Sequence, residues 1–95
     1  MSVVAVALNH VDATRASLPA GVDFRTYTHR GAFDLCSYCQ YEPVRPATCR
    51  VYSRDDGTED TCPGCVVTAA ESAVEESGGR PELVTVEMAL IEVAA

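Results

Sequence analysis

The sequence predicts a small α+β domain, and three observations carry this prediction. The chain has 95 residues, which is enough for one domain at most. Residues 22–28 and 48–54 roughly alternate apolar or aromatic with polar side chains, which is the pattern of half-buried strands. Residues 66–74 instead place apolar side chains along one side of a helix. Strand and helix patterns within so short a chain favour a mixed domain.

The first third of the chain is predicted to form two strands joined by a turn region. Residues 3–8 are all apolar and predict a short strand. Residues 11–21 are interpreted as turn-like because they include Pro19 and Gly21. The second strand, 22–28, leads into the first pair of cysteines.

A hairpin is predicted in the middle of the chain. Residues 48–54 place Cys49 and Val51 on one face. Three polar side chains share the other face: Arg50, Tyr52 and Arg54. Asp55-Asp56-Gly57 is a strong turn signal, so residues 58–61 are predicted to be the return strand.

The clearest helix signal follows this hairpin. Pro63 is predicted at the first helical position, where its missing N–H costs nothing. Gly78-Gly79 and Pro81 supply the stop signal. Residues 83–88 partly alternate and predict a last strand, while the conformation of residues 89–95 stays open.

Charge is distributed unevenly along the chain. Fourteen acidic residues and seven arginines give a formal charge of −7. Residues 24–54 hold five of the arginines, whereas residues 55–95 hold ten acidic residues and one arginine. An acidic surface repels phosphate backbones, so net charge disfavours nucleic acid as a partner except at the middle segment.

The N-terminus is apolar but has no basic segment, and its apolar run is too short to cross a membrane. We therefore expect a cytoplasmic protein with no membrane partner. In a reducing compartment paired cysteines more often hold metal than form disulfides, and an odd total of five cysteines also argues against a disulfide framework.

Two Cys-x-x-Cys pairs are the strongest chemical signal in the chain. Cys36 and Cys39 form the first pair, and Cys62 and Cys65 form the second. Four thiolates suit one tetrahedral metal ion and leave no open coordination position, which is typical of a structural zinc site. Such an ion contributes about 10–16 kcal/mol of binding free energy at neutral pH, a large stabilisation for a domain without tryptophan.

The order of Cys-x-x-Cys loop, hairpin, and Cys-x-x-Cys at a helix start resembles the treble-clef group of zinc fingers. The resemblance covers residues 36–77, and Gln40 stands where the knuckle of that group often has a glycine. It implies that Cys36 and Cys39 form a zinc knuckle and that Cys62 and Cys65 bind from the helix start. The fold class is therefore α+β: a small zinc-stapled domain whose knuckle, hairpin and helix form the core, with flanking N- and C-terminal strands.

This fold predicts a single domain over residues 1–95. Residues 1–35 supply the N-terminal strands and a loop, residues 36–77 the four-cysteine zinc unit with its hairpin and helix, and residues 78–95 the C-terminal strand.

Two cysteine chemistries remain as alternatives. Rubredoxins hold iron with two Cys-x-x-Cys loops, so iron electron transfer, or iron bound in place of zinc, stays open. Cys49 is interpreted as a small buried apolar side chain, with an alternate ligand or reactive thiol as the other reading. His10 and His29 match no ligand spacing, and no catalytic set is evident, so we expect no enzyme.

The functional hypothesis is a non-enzymatic, structural-zinc module that acts by protein contacts or in regulation. The best candidate contacts are Arg50, Tyr52 and Arg54, because Tyr and Arg dominate binding hot spots. The same side chains could stack on bases, which keeps a nucleic-acid-associated regulator as the alternative. Homodimerisation through an uncovered strand edge is a further hypothesis. The aromatic rings are otherwise expected to form the core around the metal.

Overall fold

The computed structural model describes residues 11–28, 34–39, 42–54 and 57–90. In this part of the chain a four-stranded sheet packs one face against helical segments. Residues 11–17 are helical (α1), and the second helix, α2, spans Val66–Glu76. The strands are β1 Asp23–Thr28, β2 Cys49–Ser53, β3 Gly57–Thr61 and β4 Val84–Leu90. A short 3-10 turn, Pro81–Leu83, precedes β4. The α+β fold class is confirmed.

The sheet has the strand order β1-β4-β2-β3. β2 and β3 form the predicted antiparallel hairpin, with Cys49 opposite Thr61. β4 pairs antiparallel with β2 and parallel with β1. The strand from the N-terminal region and the strand from the C-terminal region therefore lie side by side and extend the hairpin on one edge.

The core lies between α2 and one sheet face. The alternation of β2 and β4 sends Val51, Val84 and Val86 to this face, where each is at most 3% exposed. The apolar residues of α2 repeat at helical spacing, so they lie on one side of the helix and pack against these valines. Most of those that are buried are alanines. These small side chains let helix and sheet approach closely but supply a thin core. Six residues are the largest fully buried side chains: Val66, Val84, Val86, Thr61, Cys49 and Cys62.

Two element predictions are wrong. Residues 11–17 are helical, not turn-like: Val11 and Thr14 bury one helical face, and Pro19 and Gly21 mark the end of the segment. Pro63 does not begin α2, since it lies in a turn and the helix starts at Val66. The predicted strand over residues 3–8 lies outside the described residues.

The end of α2 follows the glycine signal in the sequence. Gly78 and Gly79 have backbone φ angles of +74° and +76°, which residues with a Cβ rarely adopt. The Gly78 N–H donates to the Glu75 carbonyl at 3.1 Å, and the Gly79 N–H donates to the Val74 carbonyl at 2.9 Å. This is a Schellman motif, and it stops the helix so that the chain can return to β4.

Candidate metal centre

The first cysteine pair lies in a loop that is closed by backbone contacts. Leu35 and Pro46 form an isolated antiparallel bridge, and the Cys36 N–H donates to the Arg45 carbonyl at 2.9 Å. Ser37 attaches the loop to β3, because its N–H and its hydroxyl donate to the Asp60 carbonyl at 2.9 and 3.0 Å. The loop is thus held beside the end of the hairpin strand that delivers Cys62.

The second cysteine pair lies between β3 and α2. The N–H groups of Cys65 and Val66 donate to the Cys62 carbonyl at 3.0 and 3.1 Å, which turns the chain from strand into helix. Cys65 is the N-cap residue of α2, and no side chain caps the helix there. A helix start presents unpaired N–H groups and a partial positive charge, which favours a thiolate nearby.

These loops bring the four predicted ligands together. The sulfur atoms of Cys36, Cys39, Cys62 and Cys65 all lie within 4.8 Å of one another. The Cys39 and Cys62 sulfurs are 4.0 Å apart, and all four thiols are free rather than disulfide-bonded. With Zn–S bonds of about 2.3 Å, a tetrahedral site needs sulfurs roughly 3.8 Å apart. The four cysteines are therefore positioned to hold a metal ion after a small contraction.

The cysteine cluster is shielded from water. Cys62 is fully buried, Cys65 and Cys36 are 4% and 6% exposed, and Cys39 is half-buried. Burial raises the pKa of the Cys36 thiol, although N–H groups of Cys62 and Tyr38 donate toward its sulfur and oppose the rise. Burial likewise raises the pKa of Cys62, with the Gly64 N–H opposing it. A divalent cation bound by the four cysteines would supply the positive charge that buried thiolates need.

The two loops share one local geometry. In each, the backbone two residues after the first cysteine lowers the pKa of that cysteine's thiol: Tyr38 acts on Cys36, and Gly64 acts on Cys62. A backbone hydrogen bond to the sulfur stabilises the thiolate over the thiol. The same backbone effect therefore favours the thiolate at the first cysteine of both loops.

Tyr38 joins the cysteine cluster to the main core. Its ring packs against both, and its hydroxyl lies 3.1 Å from the Ser72 hydroxyl on α2. The expectation that aromatic rings form the core is only partly met. Phe24 and Tyr38 pack against the core while half-buried, whereas Tyr27 and Tyr52 lie on the opposite sheet face. The remaining rings, Phe33 and Tyr41, are outside the described residues.

Cys49 is separate from the cysteine cluster. It is 1% exposed within the apolar core between α2 and the sheet, and burial raises the pKa of its thiol to about 12. A buried thiol that stays protonated is a poor nucleophile and a poor ligand. The structure therefore favours the interpretation of Cys49 as a core side chain. His10 and His29 lie outside the described residues.

The three predicted contact residues are neighbours at one end of β2, where Tyr52 contacts Arg50 and lines a surface cavity together with Arg54. Arg50 donates to the Tyr52 hydroxyl at 3.1 Å and to the Asp60 carboxylate at 2.9 Å, and both contacts raise its pKa. Arg54 follows the end of β2, where its backbone N–H donates to the Leu83 carbonyl at 3.3 Å. Arg25 and Glu87 lie in the same row as Arg50, which the sequence alone does not predict because it follows from the strand order.

No family model, curated protein or solved structure matches the chain. Within residues 11–28, 34–39, 42–54 and 57–90, no helix is long and apolar enough to cross a membrane.

Proposed function

We propose that this chain is a small non-enzymatic protein in which one structural zinc ion holds a surface for protein contacts. The observation that carries the proposal is the mutual approach of four cysteine sulfurs within 4.8 Å. Four thiolates complete a tetrahedral zinc shell and leave no position for water or substrate. Such an ion stabilises the fold and takes no part in turnover.

The thin core supports a structural role for the ion. No described aromatic ring is fully buried, and the core consists mainly of valine and alanine. The ion would tie the loop of Cys36 and Cys39 to the junction of β3 and α2. The order of loop, hairpin and helix supports the resemblance to treble-clef zinc fingers, with Cys65 at the helix start as that resemblance implies.

Metal analysis with a matched pair of variants tests the zinc site. We expect one zinc per chain in the wild type, loss of stoichiometric zinc in Cys65→Ser, and about one zinc per chain in Cys49→Ser. Both variants make the same chemical change at a buried cysteine, so only a ligand role separates them. A Cys65→Ser chain that keeps one zinc and native circular dichroism would contradict the proposal.

Iron is the alternative metal, since four thiolates also suit an iron site. A colourless protein that contains zinc and no iron excludes an electron carrier of the rubredoxin type. A coloured protein with one iron per chain would instead make iron the resident metal.

A nucleic-acid role has weaker support than protein contact. Arg50 is already engaged with Asp60, and their sheet face also carries Asp23 and Glu87. We expect no binding of short single- or double-stranded DNA or RNA at low salt. Binding that weakens steeply as salt is raised would favour the regulator alternative.

A further inference from the structure

The sheet has a second face that neither described helix covers. The buried apolar side chains of α1 and α2 lie in the core on the other face. We call this second face the open face. Strand register assigns nine polar or aromatic residues to it: Asp23, Arg25, Tyr27, Arg50, Tyr52, Thr58, Asp60, Thr85 and Glu87. None of the nine is buried, so the part of the face that they form is accessible to a partner, whereas Ala89, which lies opposite Tyr27 on this face, is buried.

One row of this face crosses all four strands with alternating charge. Arg25 on β1 lies opposite Glu87 on β4, and Glu87 lies opposite Arg50 on β2. Arg50 in turn lies opposite Asp60 on β3. We call these four residues the charge row. Its signs run plus, minus, plus, minus from one edge of the sheet to the other.

The charge row is only partly satisfied within the chain. Arg50 pairs with Asp60 at 2.9 Å, and Arg25 pairs with Asp23 at 2.8 Å. These side chains keep from 38% to 70% of their surface exposed, so each can accept a second partner. Glu87, between the two arginines, has no ion-pair partner among the described residues.

We propose that the open face is the interface of a symmetric homodimer, in which the charge rows of two copies pair. The open faces of the two copies lie against each other, related by a two-fold axis that runs parallel to the strands, midway between β4 and β2. This axis reverses the order of the strands in the second copy, so β1 faces β3 and β4 faces β2. Arg25 then faces Asp60 of the second copy, and Glu87 faces Arg50 of the second copy. Every position meets the opposite sign, as the self-complementary interface of a two-fold dimer requires.

The composition of the face favours a second copy over a nucleic acid. It carries three carboxylates and two guanidinium groups, so it has no excess of positive charge for a phosphate backbone. Tyr52 lies on β2 beside the proposed axis and would supply ring contact there. Four strands at about 4.8 Å spacing make a face roughly 15 by 20 Å, so the dimer belongs to the small, weak class of interfaces.

The test uses two charge-reversal variants. Two copies of either variant would repel each other in the proposed dimer, whereas one copy of each would attract. In a dimer of Glu87→Arg, the new arginine faces Arg50 of the second copy, so two positive charges meet. In a dimer of Arg50→Glu, the new glutamate faces Glu87 of the second copy, so two negative charges meet. Each variant alone is expected to be monomeric by sedimentation at concentrations where the wild type dimerises. An equimolar mixture of the two variants is expected to form a mixed dimer, because each charge in the row of one variant then faces a charge of opposite sign in the row of the other.

Matched controls and a second pair keep the test decisive. Glu71→Arg and Arg80→Glu make the same changes at exposed positions off the open face and are expected to leave dimerisation unchanged. If Arg50→Glu fails to fold, Arg25→Glu and Asp60→Arg repeat the design at the two ends of the charge row.

The dimer deepens the proposed function by naming its surface and partner, and it therefore rests on that function. A wild type that is monomeric at every concentration overturns the dimer, as does a dimer that persists in both single variants. Failure of the mixture to restore dimerisation also overturns it. Zinc content measured on the same samples separates the two proposals, since one zinc per monomeric chain defeats only the dimer.

Discussion

Cys49 differs from the other four thiols in its surroundings rather than its chemistry. It lies among valine and alanine side chains, whereas the other four face one another. Its pKa of about 12 exceeds the ordinary 9.0, because the apolar core disfavours the thiolate. Its thiol is therefore expected to act as a packing group.

The raised pKa of Cys49 predicts a loss of stability in alkali. Above pH 9 the unfolded chain releases the Cys49 proton while the folded chain keeps it, so the unfolded state binds fewer protons. The free energy of unfolding then falls by about 1.4 kcal/mol per pH unit until pH approaches 12. Denaturation of wild type and Cys49→Ala from pH 8 to pH 10.5 checks this. Equal slopes for the two proteins would contradict the assignment.

Thr61 carries a buried hydroxyl that makes no hydrogen bond in the described structure. The residue is fully buried on β3 opposite Cys49, and its Oγ1 has no partner. A valine has the same shape without the unpaired group. We predict that Thr61→Val raises the free energy of unfolding by about 1 kcal/mol.

The control for Thr61 lies on the same strand. Thr58→Val, at an exposed position, is expected to change stability by no more than about 0.5 kcal/mol. Urea denaturation of both variants compares them directly. A clear loss of stability in Thr61→Val would show that the hydroxyl has a partner after all.

At the scale of elements, the end of α2 can be tested separately from packing. A Cβ added at Gly78 would meet no atom within 4 Å, so only its φ of +74° resists substitution. We predict that Gly78→Ala lowers the free energy of unfolding by about 1 kcal/mol. Gly78→Asn should cost less, because asparagine tolerates this conformation. Equal stability of all three proteins in chemical denaturation would contradict the Schellman assignment.

The elements that sequence reasoning predicted well are those with local signals. Alternation and the turn at Gly57 identified β2 and β3, and helical spacing with a glycine stop identified α2. The sequence does not reveal α1, because Pro19 and Gly21 indicate a turn and in fact only follow the end of the helix. The start of α2 was misplaced because the turn that holds Cys62 and Cys65 precedes the helix.

At the scale of the molecule, the cysteine cluster was predictable and the open face was not. The spacing of two Cys-x-x-Cys pairs already indicates one site, whatever path the chain takes between them. The charge row depends on β4 inserting between β1 and β2, which joins Arg25 and Arg50 through Glu87. That pairing spans most of the chain and has no local signal in the sequence.

Zinc titration of the metal-free chain is the most direct test of the structural-zinc proposal. A thin valine and alanine core with four clustered thiols predicts that folding depends on the ion. Far-UV circular dichroism should change on titration and saturate at one zinc per chain, with the cysteine ligands becoming protected from alkylation. A metal-free chain that already has the native spectrum, and that zinc leaves unchanged, would contradict the account.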